Sequence, residues 1–296
     1  MPTAALEIRA ISGHSGAAPG KGAKRTEGGG VCKLIDVTTC IGCKACEVAC
    51  LEWNGYPFQE TTFDNTYQTM PDLQWNYYNL IRFNEHDFAD GSFGLLMRKD
   101  QCMHCADPGC LRACPAEGAI VQYSNGIVDF QQENCIGCQY CVTGCPFNIP
   151  KFNSETKKVH KCTFCSDRVA VGLEPACIKS CPTGCLHFGT KDDMKALAET
   201  RAAQLREHTA HTNAGVYDPP GVGGTQVMYV LHDIRNPEAY GGLPSHPTIP
   251  LLVRLWKGPM KWLGGLAISL GMVGVVAHFL RFGPKEAHPI KEVHRP

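Results

Sequence analysis

An apolar run lies near the end of the chain. From Trp262 to Leu280, nineteen residues pass without an Asp, Glu, Lys or Arg, close to the roughly 20 apolar residues a helix needs to cross a bilayer. Trp256 and Trp262 mark one edge, and Lys257, Lys261 and Arg281 flank the run; aromatic and basic side chains settle at membrane interfaces. The pattern predicts a single transmembrane helix within an anchor over 251–283, followed by a polar tail over 284–296. Gly264, Gly265, Gly271 and Gly274 leave room for a neighbouring helix, so an integral-membrane partner is expected. Basic residues stand on both sides, and the small excess after the run puts the C-terminus in the cytoplasm. His278 reads as an interfacial histidine rather than a haem ligand or part of a polar path.

Upstream, the pattern changes several times. Over 191–250 a helix is expected, capped by Asp192 or Asp193 and packed through Met194, Leu197, Ala198, Ala202 and Leu205 at helical spacing. Val227–Leu231 reads as a strand, and the Pro- and Gly-rich stretch 236–250 as a linker. Apolar runs at 119–123 and 127–130 flank Ser124-Asn125-Gly126, a hairpin signal. The region 51–99 carries Trp53, Tyr56, Phe58, Trp75, Tyr77 and Tyr78, taken as core and interface. Residues 1–30, rich in Gly, Ala, Ser and Lys, read as a flexible arm without the apolar core of a secretory signal.

Composition then narrows the chemistry. With 28 basic and 28 acidic residues among 296, the chain lacks the basic footprint of a nucleic-acid binder. Its 18 cysteines pose a choice between a disulfide framework and metal ligation. Sixteen of them fall into four tight groups, and clustered thiolates mean metal.

Cys40, Cys43, Cys46 and Cys50 form the first group, and Cys135, Cys138, Cys141 and Cys145, followed by Pro146, the third. Both have the C-x2-C-x2-C-x3-C run in which three thiolates hold one cubane and the fourth crosses to a paired cluster, as in two-cluster bacterial ferredoxins. The second group, Cys102, Cys105, Cys110 and Cys114, and the fourth, Cys162, Cys165, Cys177 and Cys181, lengthen one gap and end in Pro115 and Pro182. Groups two and three are close in sequence and form an inner pair. Cys102, Cys105 and Cys110 then share a 4Fe-4S cluster with Cys145, and Cys135, Cys138 and Cys141 share one with Cys114. The outer groups pair across this insertion: Cys40, Cys43 and Cys46 with Cys181, and Cys162, Cys165 and Cys177 with Cys50.

The expected fold is α+β, two nested ferredoxin-like 4Fe-4S units with a C-terminal single transmembrane helix. The outer unit covers 31–101 and 151–190, the inner 102–150, and the nesting is a duplication. The sixteen cysteines are the iron ligands of four 4Fe-4S clusters, and no catalytic residue is assigned. Zinc, the alternative, needs only two Cys-x2-Cys pairs per ion and has no use for a crossed fourth ligand. Cys32 and Cys185 complete no spacing and read as spare or buried thiols, Cys185 in a strand. Lys44, Lys161 and Lys179 adjoin ligands and are candidates for tuning potential through charge, with exposed lysines of no special role the preferred reading.

Cys40-Ile41-Gly42-Cys43-Lys44-Ala45-Cys46, Gln101-Cys102-Met103-His104-Cys105, Cys135-Ile136-Gly137-Cys138 and Cys145-Pro146-Phe147-Asn148-Ile149-Pro150 resemble the four-cluster subunit of molybdopterin oxidoreductases. The anchor, with Gly221-Val222-Gly223-Gly224-Thr225 before Val227, is most similar to the β subunit of respiratory formate dehydrogenase, a resemblance that runs from about Val31 onward. It implies electron transfer from a molybdopterin-containing catalytic α subunit, where formate is oxidised at molybdenum or tungsten, to a cytochrome b γ subunit and quinone. It also implies export on the partner's twin-arginine signal, with the globular part periplasmic and the anchor in the inner membrane. Nitrate reductase relatives replace one group-two cysteine with Trp; all four are present here. A membrane hydrogenase subunit is the alternative, and a structural adaptor stabilised by its clusters a third reading.

Overall fold

Val31–Asp36 is the strand on which the larger unit is built. It pairs in parallel with Val227–Leu231 and antiparallel with Leu186–Thr190, while Gly215–Tyr217 adds an antiparallel outer strand beside Val227–Leu231. The computed structural model describes residues 6–13, 30–58, 60–63, 65–68, 70–88, 91–257 and 259–283, in two units divided between Val253 and Arg254. Strand side chains alternate between faces, and here the alternation separates two environments. Cys32, Leu34, Met228 and Val230 meet Met194, Ala198, Ala202 and Leu205 of the helix Lys191–His208. Ile35, Val227, Tyr229 and Leu231 join the main core, which also holds Cys46, Cys105 and Cys177.

That helix is capped differently from the expectation. The Thr190 hydroxyl accepts from the Asp193 backbone N–H, because Thr190 ends a strand and has the extended backbone an N-cap needs. Asp192 and Asp193 instead occupy the first turn, where carboxylates meet the positive end of the helix dipole. Leu197, expected on the packed face, is 40 % exposed, since the buried positions 194, 198, 202 and 205 define a stripe that passes beside it.

The Asn-Gly hairpin is present: Ile120–Tyr123 pairs with Val128–Phe130, and Asn125 Oδ1 accepts from the Ile127 N–H. A third strand, Ile8–Ile11, adds to its edge. Ser12 behind it is fully buried, its hydroxyl donating to the Ala116 carbonyl and accepting from the Ile120 N–H. These residues lie in the stretch read as a flexible arm. An open strand edge supplies backbone partners whatever the average composition of the segment. The rest of that arm, 14–29, lies outside the described residues.

Between the first two cysteine groups, Asn79–Asp87 and Phe93–Gln101 form a long antiparallel hairpin, of which the sequence had shown only aromatic content. Tyr56 packs edge-on against Trp75 and Tyr78. The predicted linker 236–250 is a packed strap. Tyr240, Leu243 and Ile249 are buried, the Arg98 guanidinium donates to the Tyr240 carbonyl, and the Tyr217 hydroxyl donates to the Pro244 carbonyl. Its Pro and Gly residues shape the path, and the apolar residues between them hold it down.

In the second unit the helix Pro259–Phe282 has 24 residues, about 36 Å at 1.5 Å per residue, with apolar side chains exposed along it. That is enough to cross a bilayer core. His278 packs against Phe282, ring centroids 5.1 Å apart.

Candidate iron-sulfur sites

Groups one and three are built on one backbone. The 3-10 turns Val37–Thr39 and Gln132–Asn134 deliver Cys40 and Cys135. Gly42 and Gly137 then take φ of +65° and +71°, Lys44 and Gln139 take +60° and +61°, and the helices Ala45–Asn54 and Tyr140–Thr143 begin. Two left-handed residues so close together fold the chain back on itself, so the C-x2-C-x2-C run curls instead of extending. Glycine is needed at the first of them: a Cβ on Gly137 would collide with the Lys157 carbonyl.

Groups two and four share a second device. His104 and Phe164 take φ of +46° and +64°, and their N–H groups donate to Cys102 Sγ at 3.5 Å and Cys162 Sγ at 3.4 Å. The short helices Gly109–Ala113 and Ala176–Lys179, entered through Pro108 and Pro175, carry Cys110 and Cys177. Two matched pairs of backbones are what a duplication leaves behind.

Cys102, Cys105, Cys110 and Cys145 line one cavity, together with Pro108, Phe147 and Lys161. The Gly109 and Gly144 backbones touch there, since a Cβ on Gly109 would run into the Gly144 carbonyl, and this close approach brings the neighbouring Cys110 and Cys145 together. Burial first, then the charges of Cys145, Cys102 and Cys110, push the Cys105 thiol well above its ordinary range. Cys141 is raised by burial, then by Cys114, Cys135 and Cys138. Cys50 is raised by burial, then by Cys162 and Cys177. Each thiol is thus crowded by the mates that the crossed-ligand pattern gives it.

In the remaining set, Cys40 and Cys181 meet at Cys185. The Cys181 and Cys185 sulfurs are 3.5 Å apart, and a hydrogen bond from Cys185 lowers Cys40 to about 6 while raising Cys185. Cys185 was expected inside a strand; it stands one residue ahead of Leu186–Thr190 with its buried thiol against two candidate ligands. The intervening Pro182-Thr183-Gly184 turn brings it back. Cys46 of this set is buried and pushed up to about 12, by burial first with Lys99 opposing, whereas Cys43 is exposed. Cys32 is a fully buried thiol on the helix-covered face of the central sheet.

Among the described residues, no three His, Cys, Asp or Glu side chains converge as ligands of a single metal ion would. A zinc site draws its four ligands within about 2.3 Å of one point. Four thiols around a cavity, each penalised for carrying charge by the others, fit a polynuclear iron-sulfur cube whose metal ions neutralise them. Three lysines stand among these thiols. Lys33, Lys99 and Lys161 are 2 %, 2 % and 3 % exposed, so Lys161 is buried where the sequence suggested an ordinary surface lysine. Lys44 is half-buried and Lys179 exposed.

The comparisons with known proteins point to the same type of cofactor. Residues 39–119 and 94–191 each match a 4Fe-4S dicluster domain, together accounting for four clusters, and residues 249–292 match the family described as formate dehydrogenase N, transmembrane. The nitrate-inducible formate dehydrogenase iron-sulfur subunit of Escherichia coli is 54 % identical over 265 residues, 89 % of this chain and 90 % of its own length. The formate dehydrogenase-O iron-sulfur subunit of the same organism is 54 % identical over 259 residues, 87 % and 85 % of the two chains. The formate dehydrogenase iron-sulfur subunit of Haemophilus influenzae is 50 % identical over 291 residues, 97 % and 92 %. With paired cluster modules, a transmembrane segment of the formate dehydrogenase type and relatives matched over most of their length, this chain belongs to the family of formate dehydrogenase iron-sulfur subunits.

Proposed function

We propose that this chain is the electron relay of a membrane-bound formate dehydrogenase complex, set between a molybdopterin-containing catalytic α subunit and a cytochrome b γ subunit that serves quinone. Bound 4Fe-4S clusters supply one-electron redox chemistry at potentials set by charge, hydrogen bonds and burial. The proposed ligand sets are Cys40, Cys43, Cys46 and Cys181; Cys50, Cys162, Cys165 and Cys177; Cys102, Cys105, Cys110 and Cys145; and Cys114, Cys135, Cys138 and Cys141. The observation that carries the relay is their contiguity: Cys46 feels Cys177, Cys102 feels Cys162, and Cys110 feels Cys141. Each set therefore adjoins the next in a row of four.

The chain's own residues hold and insulate. Short helices and left-handed turns fix the thiols, and the apolar shell of Pro108, Phe147 and Ile149 keeps water from one of the sets. No group acts as an acid or base on formate. In this reading the outer unit comprises 31–101 and 151–190, the inner 102–150, the globular part is periplasmic, and the C-terminus of the anchor is cytoplasmic. The transmembrane match over 249–292 gives the hydrogenase alternative no support.

Purification of the intact complex from membranes tests the proposal. A brown complex with a large molybdenum- or tungsten-pterin subunit and a cytochrome b, bleached on adding formate, is expected. A colourless chain, a nickel-containing partner, or clusters that stay oxidised with formate would refute it.

A further inference from the structure

We propose that Lys33, Lys99 and Lys161 make the site of Cys50, Cys162, Cys165 and Cys177 the most electropositive of the four, so that its cluster has the highest midpoint potential and fills first. The inference rests on the ligand sets proposed above and adds an order of reduction to them.

Burying an ammonium group is costly unless an opposite charge compensates it. Lys191 shows the ordinary solution, with Asp218 at 2.7 Å. Among the described residues, none of Lys33, Lys99 and Lys161 has a carboxylate within ion-pair distance. Their hydrogen bonds to oxygen are to neutral groups: Lys99 to the Gln101 side-chain oxygen, and Lys161 to the carbonyls of Val128 and Cys162 at 2.5 and 2.9 Å. Lys33 has none to oxygen; its Nζ lies 3.7 Å from Cys177 Sγ and 4.3 Å from the centre of the Phe164 ring. Neutral acceptors and a ring solvate a charge without cancelling it.

The negative groups these lysines face are mostly cysteines, with the Asp129 carboxylate near Lys161 and that of Glu47 near Lys99. Lys33 faces Cys177, Cys162 and Cys165; Lys99 faces Cys177, Cys46, Cys162 and Cys50; Lys161 faces Cys102, Asp129, Cys110 and Cys162. Cys162 appears in all three environments and Cys177 in two. By contrast, Cys141 faces other cysteines, and Lys158, which binds the Cys135 carbonyl of the same set, does so from a half-buried position. A cluster ligated by four thiolates is anionic and gains a further negative charge on reduction, so fixed buried cations favour the reduced form. Lys99 is shared with the Cys46 set and Lys161 with the Cys102 set, which grades the potential on both sides of the central site. The electron comes from formate oxidation in the partner subunit and leaves through the next set in the row.

The test is a potentiometric titration, followed by electron paramagnetic resonance, of the purified complex carrying Lys33→Met or Lys161→Met, with Lys33→Arg and Lys161→Arg keeping the charge. Cys50→Ser identifies which signal belongs to the central site. In the parent, that signal is expected to be reduced first. Lys33→Met should lower its reduced-to-oxidised ratio at fixed potential by at least tenfold, which is 59 mV for a one-electron couple. Lys33→Arg should leave it within about threefold, and the Cys141 set should not move in either variant. An unchanged ratio in fully loaded Lys33→Met and Lys161→Met, or another set being reduced first in the parent, overturns the proposal. If both methionine variants lose only the central cluster while both arginine variants keep it, the requirement for charge stands. Iron well short of four clusters in the parent would instead overturn the ligand assignment.

Discussion

The contact between Gly109 and Gly144 gives the most direct test of how the fold holds a ligand set. Each glycine immediately precedes a proposed ligand of the same cluster, Cys110 or Cys145. A Cβ on Gly109 would lie against the Gly144 carbonyl far inside the 3.0 Å that real Cβ contacts keep clear of, while ordinary contact begins at 3.4 Å. Gly109→Ala must therefore part the two backbones by about 1 Å. Metal-ligand distances tolerate only about 0.2 Å, so the displacement exceeds what this site can absorb. The packing cost alone is about 1–3 kcal/mol. The expected outcome is loss of one cluster, seen as a fall of about a quarter in iron and acid-labile sulfide per chain, with one resonance missing and a lower Tm. Gly55→Ala is the control. Gly55 is also left-handed, at φ +67°, but a Cβ there meets nothing within 4 Å, so this variant should cost about 1–2 kcal/mol of backbone strain and keep all its iron. Full iron and an unshifted spectrum in Gly109→Ala would refute the argument that this contact sets the distance between Cys110 and Cys145.

Three further outcomes follow from other parts of the fold. Thr190→Ala should destabilise the chain by about 1 kcal/mol through loss of the cap, while Asp192→Ala should change stability by less than about 0.5 kcal/mol; thermal melts separate the two. His232 is lowered to about 4 by burial, then by the neighbouring His211. Because the folded pKa lies below the unfolded value, its contribution is complete above about pH 6.5 and is lost as pH falls toward 4. Between pH 7 and pH 5 the parent should lose about 2 kcal/mol more stability than His232→Gln, and parallel pH-stability curves would refute this. Ending the chain at residue 250 removes the helix Pro259–Phe282 and should move it from the membrane pellet to the soluble fraction after alkaline washing.

The cysteine groups were legible because ligand spacing is a local property: Gly42 and Gly137, with the residues around them, bend the chain within five positions. The hairpin at Asn125-Gly126 and the long apolar helix were legible for the same reason. Longer-range features were not. Ile8–Ile11 is a strand only because Ile120–Tyr123 leaves an edge open, and 236–250 is a packed strap only because the Tyr240 carbonyl finds the Arg98 guanidinium across the fold.

Lys33 lies between these cases. It sits in the run Val31-Cys32-Lys33-Leu34-Ile35, and a lysine there normally marks the wet face of a strand. Strand alternation does separate it from Cys32 and Leu34, which pack under the helix Lys191–His208. What alternation cannot say is that the opposite face holds cysteine side chains instead of water. That requires Cys162, Cys165 and Cys177, more than 120 residues away, to close over it. A buried lysine with no carboxylate in ion-pair range is therefore a consequence of the fourth cysteine group folding back onto Val31–Asp36. Charge in Val31–Asp36 then acts on the thiols of the fourth group.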